Sequence, residues 1–206
     1  MKIGIIGSGM IGSTCARLFT RAGHEVVVAN SRGPGSLEDL VKELGPKARA
    51  ATVESAVESS EVILAAVPLK AHRDLPASKL AGKVVIDAMN YYPDRDGQMD
   101  FGGRGSSSWL ATTWPGARVV KAFNTMYFKP LGEQGKPGAP ADDRLALFVS
   151  GDDNDAKRVV MDLIDQIGFA AVDTGSLSEG GRRQEPGTPV YNRLMKAPEA
   201  RRALGA

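Results

Sequence analysis

The chain has 206 residues, 42% hydrophobic and 24% charged, with 26 basic side chains against 24 acidic ones. That length holds one substantial core with at most a small appended lobe, and the near balance of charge leaves no basic footprint for nucleic acid or an anionic membrane. No apolar run reaches the ~18 residues of a membrane span, and Met1-Lys2-Ile3 leads into a core strand rather than a signal peptide, so a cytoplasmic protein with a small-molecule partner is expected. Cys15 is the single cysteine; with only His24 and His72 beside it, it offers neither a disulfide nor a zinc set, and no metal is expected.

In chain order, Lys2-Ile3-Gly4-Ile5-Ile6 is a short apolar run of strand type. It ends in Gly7-Ser8-Gly9-Met10-Ile11-Gly12, a GxGxxG turn opening into a helical stretch. In that setting Gly7 permits the tight turn, Gly9 lets a pyrophosphate approach the backbone, and Gly12 lets the helix pack on its strand. The free N–H groups and the dipole of the helix start favour phosphate. Gly23 closes the helix, His24 falls on a surface turn, and Val26 to Ala29 form a second strand.

A fold that binds NAD usually ends this strand in an acidic residue about 20 positions beyond the glycines, where it holds the ribose 2′-hydroxyl. Here the position is Asn30, followed by Ser31 and Arg32. A carboxylate would repel a 2′-phosphate, whereas a hydroxyl and a guanidinium bind it, so the loop reads as an NADP(H) site.

Ser36 is expected to cap a helix carrying Leu37, Leu40, Val41 and Leu44, Ala48 to Ala51 to form a third strand, and Thr52 to cap a small helix. Glu61 to Val67 is a continuous apolar run of buried parallel-strand type, ended by Pro68; Val67 and Pro68 are candidates for packing against the coenzyme. His72 lies just beyond. A fifth strand, Lys83 to Asp87, leads through Ala88 and Met89 to Asn90 on the same edge. Asp94 to Gly105 reads as loop, a flap or a spacer. A short helix near Ser107 to Thr113 precedes a sixth strand, Arg118 to Phe123, ending in Asn124. Leu145 to Ser150 is a further strand. Asp152 to Gly168 is a helix whose Asp152, Asp153 and Asp155 complement its positive end rather than bind metal. Phe169 to Asp173 is the last strand. The whole is expected to be an α/β, Rossmann-type, doubly wound and mostly parallel sheet with a small C-terminal α/β extension. Residues 1–175 would form the NADP-binding domain, and residues 176–206 a loop and helix that complete the cleft or a dimer contact. Arg182 and Arg183 read as surface residues or as contacts for an anionic second substrate.

Val120-Lys121-Ala122-Phe123-Asn124-Thr125, Gly151-Asp152-Asp153-Asn154-Asp155-Ala156-Lys157 and Val172-Asp173-Thr174-Gly175-Ser176-Leu177, taken with Gly7 to Gly12 and Asn30-Ser31-Arg32, resemble the family of coenzyme F420-dependent NADP oxidoreductases. The resemblance covers about residues 1 to 195. It implies a Rossmann fold, a smaller C-terminal part that completes a second-substrate cleft, and a homodimer. Family enzymes that use the deazaflavin can carry histidine where this chain has Asn124, which points to an Asn-containing bacterial branch. More distantly, the chain is similar to the cytoplasmic domain of membrane ferric reductases, where NADPH reduces a flavin.

The sequence offers no Lys/Asp, Tyr/Lys or Ser/His/Asp set at a recognised catalytic spacing, in keeping with hydride transfer between two cofactor rings. The expected reaction is hydride transfer between NADP(H) and coenzyme F420 or a flavin (FMN or FAD). Gly7, Ser8, Gly9, Met10, Ile11, Gly12, Asn30, Ser31, Arg32, Val67, Pro68, Ala88, Asn90 and Asn124 are expected at the coenzyme, with Asn124 orienting the carboxamide. Two alternatives are a carbonyl or imine reductase, for which Tyr127, Tyr191 or His72 would supply the proton, and a non-catalytic NADPH-binding module.

Overall fold

The computed structural model describes residues 1–205. Strand β1 (Lys2–Ile6) runs into α1 (Met10–Arg21), and β2 (Glu25–Ala29) follows. Then come α2 (Glu38–Leu44), β3 (Ala48–Ala50), α3 (Val53–Glu58), β4 (Val62–Ala65) and β5 (Val84–Asp87). The short α4 (Pro93–Asp96) and α5 (Ser106–Thr113) lead to β6 (Arg118–Lys121), α6 (Phe128–Glu133) and β7 (Ala146–Gly151). Helix α7 (Asn154–Gln166) and β8 (Ala170–Asp173) complete the sheet, and α8 (Gly180–Arg183) and α9 (Ala197–Ala203) lie in the tail.

The eight strands are ordered β3-β2-β1-β4-β5-β6-β7-β8. All neighbours pair in parallel except β6 and β7, which are antiparallel. This is the expected Rossmann-type sheet, extended beyond its usual six strands by β7 and β8. The strand order reverses between β1 and β4, where a crevice opens at the carboxyl ends of the strands.

Alternation along each strand builds two cores. Ile3, Ile5, Val26, Val28 and Leu64 face Phe19, Leu163 and Ile164 of α1 and α7, while Val27, Ile63 and Val85 face Val57, Leu110 and Trp114 on the other side. Both faces being covered explains why the strands read as unbroken apolar runs. A third cluster joins Phe148 and Val172 of β7 and β8 to Val190, Met195, Ala197 and Ala200, so the tail packs on the sheet. Among the described residues no helix is long and apolar enough to cross a membrane.

Local chemistry sets the boundaries. Thr52 accepts a hydrogen bond from the Ser55 N–H (3.2 Å) at the start of α3. Asp153 caps α7 by accepting from the Ala156 N–H (2.9 Å), and the same carboxylate takes both arms of Arg118 (2.6 and 2.9 Å). Arg118 and the cap together hold that carboxyl far below its ordinary range.

Several expectations are corrected. Ser36 does not cap α2: it lies in a 3-10 turn, Pro34–Leu37, its hydroxyl donating to the Gly33 carbonyl (2.8 Å). The stretch from Asp94 is not all loop, because α4 takes its first turn and Phe101 packs edge-on against Tyr91 and Trp109. The sixth strand stops at Lys121, and Phe123 takes a left-handed φ of 65°, uncommon for a residue with a side chain. His24 is not a surface residue but 8% exposed, hydrogen-bonded to Gln166 (2.7 Å) and close to the N-terminal amine (3.4 Å).

Burial is the main force pushing the pKa of both His24 and His72 below the ordinary 6.5. The unfolded chain therefore binds protons that the fold refuses. Their contribution is intact above the unfolded value and is lost as pH falls below it. The thermal midpoint should drop between pH 7 and pH 5, and His24→Gln should reduce that drop; an unchanged pH slope would assign the acid sensitivity to other groups.

Candidate functional site

The crevice is built outward from the end of β1. Gly7 turns with φ 105°, and a Cβ there would lie 2.3 Å from the Ala66 carbonyl oxygen. A Cβ on Gly12 would lie 1.8 Å from the Gly7 carbonyl oxygen, so α1 can cross the strand end only without a side chain at that position. Gly9 differs from both: it is the N-cap of α1 and a Cβ there would meet nothing within 4 Å. No acidic side chain occupies the first turn of α1 and no side chain caps it, leaving its first N–H groups free to face an anion.

Two cavities open on either side of this turn. The larger, about 390 Å³, lies between Gly7 to Gly9, Asn30 to Arg32, and Val53, Ala71, Asp74 and Leu75. The smaller, about 210 Å³, lies between Gly9 to Ile11, Ala88 to Asn90, and Tyr92 and Arg95. Gly9, Ala66, Val67 and Pro68 line both, so the two cavities form one trough along the carboxyl edge.

At the first end, the side chain of Asn30 is used by its own loop. Its amide donates to Ser8 Oγ (3.0 Å) and Ser36 Oγ (3.0 Å), and its oxygen accepts from the Arg32 N–H (2.9 Å). Asn30 thereby shapes the turn, while Ser31 and Arg32 stand exposed. Among the described residues the Arg32 guanidinium has no protein partner.

At the other end, Asn90 and Asn124 are joined. Asn124 Nδ2 donates to Asn90 Oδ1 (3.0 Å) and to the Gln184 carbonyl (2.8 Å), and Asn90 Nδ2 donates to the Asn124 carbonyl (2.9 Å). Asn124 is only 4% exposed, yet its Oδ1 has no hydrogen-bond partner among the described residues. A buried, unpaired amide oxygen costs free energy unless a ligand or a water donates to it. Tyr191 arrives from the tail, its hydroxyl against Asn90 Nδ2 (3.4 Å) and the Tyr92 hydroxyl. Burial and then the contact with Tyr92 push the Tyr191 phenol above its ordinary pKa. Arg95 lies over the Tyr92 ring and donates to the Asn90 carbonyl (2.6 Å).

The trough thus gathers Gly7 to Ile11, Asn30, Ser31, Arg32, Val67, Pro68, Ala88 and Asn90. Gly12 lines neither cavity, being packed under Gly7, and Asn124 joins only through Asn90. Tyr127 is 53% exposed and lines neither. His72 is turned away: its Nδ1 meets the Leu69 carbonyl (2.9 Å) and its ring packs against Trp109. Sequence reading missed Asp74 at one end and Tyr92 and Arg95 at the other. It also missed a buried ion pair, Lys121 Nζ to Asp87 Oδ2 (3.2 Å), beneath the Asn90 loop. That pair joins the last residues of two adjacent strands, and a polar residue closing an apolar strand was its only signal in the sequence. Among the described residues no group of three His, Cys, Asp or Glu side chains gathers to hold a metal.

A Gly-rich turn between β1 and α1, set at the switch point of a doubly wound sheet, defines a dinucleotide-binding protein. Residues 2–91 match the family described as NADP oxidoreductase, coenzyme F420-dependent. The fold matches a hypothetical protein from Sinorhizobium meliloti at 35% identity, covering 95% of each chain with a TM-score of 0.83. It also matches a candidate F420-dependent NADP-reductase from Arthrobacter sp. at 25% identity, covering 95% of this chain and 99% of the other with a TM-score of 0.76. Metalloreductase STEAP3 of Rattus norvegicus is 32% identical over 179 residues, 86% of this chain. The chain spans about a third of the length of the curated relatives it matches. Over residues 2–91 the chain belongs to the coenzyme F420-dependent NADP oxidoreductase family.

The three glycines should separate on substitution. Gly12→Ala should destabilise the fold by about 1–3 kcal/mol or more, as overpacking does. Gly9→Ala should leave the thermal midpoint within about 5 °C yet weaken NADPH binding about tenfold, the cost of a lost charge-assisted hydrogen bond. Equal melting of the two variants would refute this division of roles.

Proposed function

We propose that the trough binds NADPH lengthwise and that the protein moves a hydride between this coenzyme and a second planar redox ring, a deazaflavin such as coenzyme F420 or a flavin (FMN or FAD). The observation that carries the reading is the pair of cavities sharing Gly9, Ala66, Val67 and Pro68 across the start of α1. Ser31 and Arg32 hold the 2′-phosphate, and Asn30 fixes their turn. The N–H groups that open α1 face the pyrophosphate over the space left by Gly9. Asn124 orients the carboxamide through Asn90, which lines the smaller cavity and accepts from Asn124 Nδ2.

Bound NADPH supplies the hydride, so the chain needs to orient rings and exclude water more than to move protons. Met10, 59% exposed, and Tyr92, 37% exposed, flank the smaller cavity and offer flat or apolar surface to an incoming ring. In this reading the segment after residue 175 completes the cleft, through the Gln184 carbonyl and Tyr191. On the same reading Asn124, with its neutral amide, is the mark of an Asn-containing bacterial branch. In this reading the protein acts in the cytoplasm as a homodimer.

A second reading, reduction of a small carbonyl or imine, is favoured by one observation. The Tyr191 hydroxyl sits beside Asn90 and Tyr92, which line the smaller cavity, and so places a phenolic proton at that end of the trough.

Arg32→Ala should weaken NADPH about 10- to 100-fold, the worth of charge-assisted hydrogen bonds, and leave NADH unchanged in steady-state oxidation assays. Asn124→Ala should lower the hydride-transfer rate constant more than NADPH affinity. Turnover with coenzyme F420 or FMN and none with small carbonyls supports the first reading. The reverse supports the second, and turnover with none of them would leave an NADPH-binding module.

A further inference from the structure

Asp87 and Lys121 are direct cross-strand partners at the last positions of parallel β5 and β6. Both side chains are fully buried, at 0% and 1% exposure. Each also reaches past its partner to the same residue. Asp87 Oδ1 accepts from the Met89 N–H (3.0 Å), and Lys121 Nζ donates to the Met89 carbonyl (3.0 Å). Ser107 Oγ of α5 donates to Asp87 Oδ2 (2.5 Å). Met89 lies just past the ladder, where the Ala88 N–H makes its last hydrogen bond, to the Ala65 carbonyl (3.1 Å). Its own two backbone groups therefore lack strand partners at 2% exposure, and the ion pair supplies one acceptor and one donor.

A buried ion pair is poor value as a stabiliser, because desolvation of two charges roughly offsets their attraction, and an apolar pair of like volume often does as well. What this pair does that an apolar pair cannot is tie down both polar groups of Met89. Ala88, Met89 and Asn90 line the smaller cavity, and Asn90 in turn holds Asn124. Movement of Met89 would displace the whole amide pair.

We infer that Asp87 and Lys121, braced by Ser107, are positioning residues that set the Met89–Asn90 loop at the height needed to grip the nicotinamide half of the coenzyme, while contributing nothing to the adenosine half. The inference rests on the NADPH reading above.

The test is calorimetric titration of the intact protein with NADPH and with 2′,5′-ADP, which carries the adenosine half alone. The double variant Asp87→Asn/Lys121→Met removes both charges together and so leaves no unpaired buried ion. It should bind 2′,5′-ADP within about twofold of the wild type but lose about tenfold or more in NADPH affinity, the loss expected of broken charge-assisted hydrogen bonds. Ser107→Ala, which keeps both ions, should show the same selectivity at smaller amplitude and serves where the double variant does not fold. Equal weakening of both ligands, or of neither, in the folded variants overturns the inference while leaving the coenzyme reading intact. A wild type that binds neither ligand overturns the coenzyme reading and this inference with it.

Discussion

Where β1 ends, α1 crosses so close to the Gly7 carbonyl that the helix has no room for even one methyl group at Gly12. This contact fixes the direction of α1, and with it where the helix N-terminus points. The same turn places Gly7 against Ala66 and so sets the separation of β1 from the exit of β4. Everything downstream in the trough is measured from these contacts: the open space at Gly9, the wall formed by Val67 and Pro68, and the two cavities on either side.

The elements were legible because parallel strands buried on both faces leave a simple trace, short apolar runs separated by helices and glycine turns. The turn chemistry was legible for the same local reason: Gly7 to Gly12 and Asn30 to Arg32 lie within a few residues of their neighbours. What escaped depends on partners far apart in the chain. His24 looks like a turn residue until Gln166 arrives across the core to bond it. Lys121 and Asp87 are unremarkable strand ends until register makes them neighbours. Ser36 has the composition of a cap, but its hydroxyl is drawn into the tight turn with Asn30 and Gly33.

The two ends of the trough differ in how they are built. The Arg32 end is an exposed guanidinium on a hydrogen-bonded turn, a point charge open to solvent. The Asn124 end is a network of neutral amides over a buried ion pair, in which both amide nitrogens are committed and Asn124 Oδ1 is left over. Charge recognition suits a phosphate, which is attracted from many directions. Directional amides suit a ring whose angle determines which face is presented. Phe123 holds a positive φ immediately before Asn124, an uncommon backbone conformation at the start of this network.

The tail's contacts also set an order of assembly. Every residue lining the larger cavity lies between Ile6 and Leu75, whereas Asn124 waits for the carbonyl of Gln184 and Asn90 for the hydroxyl of Tyr191. On the ribosome, therefore, the larger cavity has all its residues once Leu75 has emerged. The network at the opposite end closes only after the segment carrying Tyr191 has folded back across the sheet. The larger cavity thus draws on one contiguous stretch of chain, whereas the opposite end needs segments about a hundred residues apart.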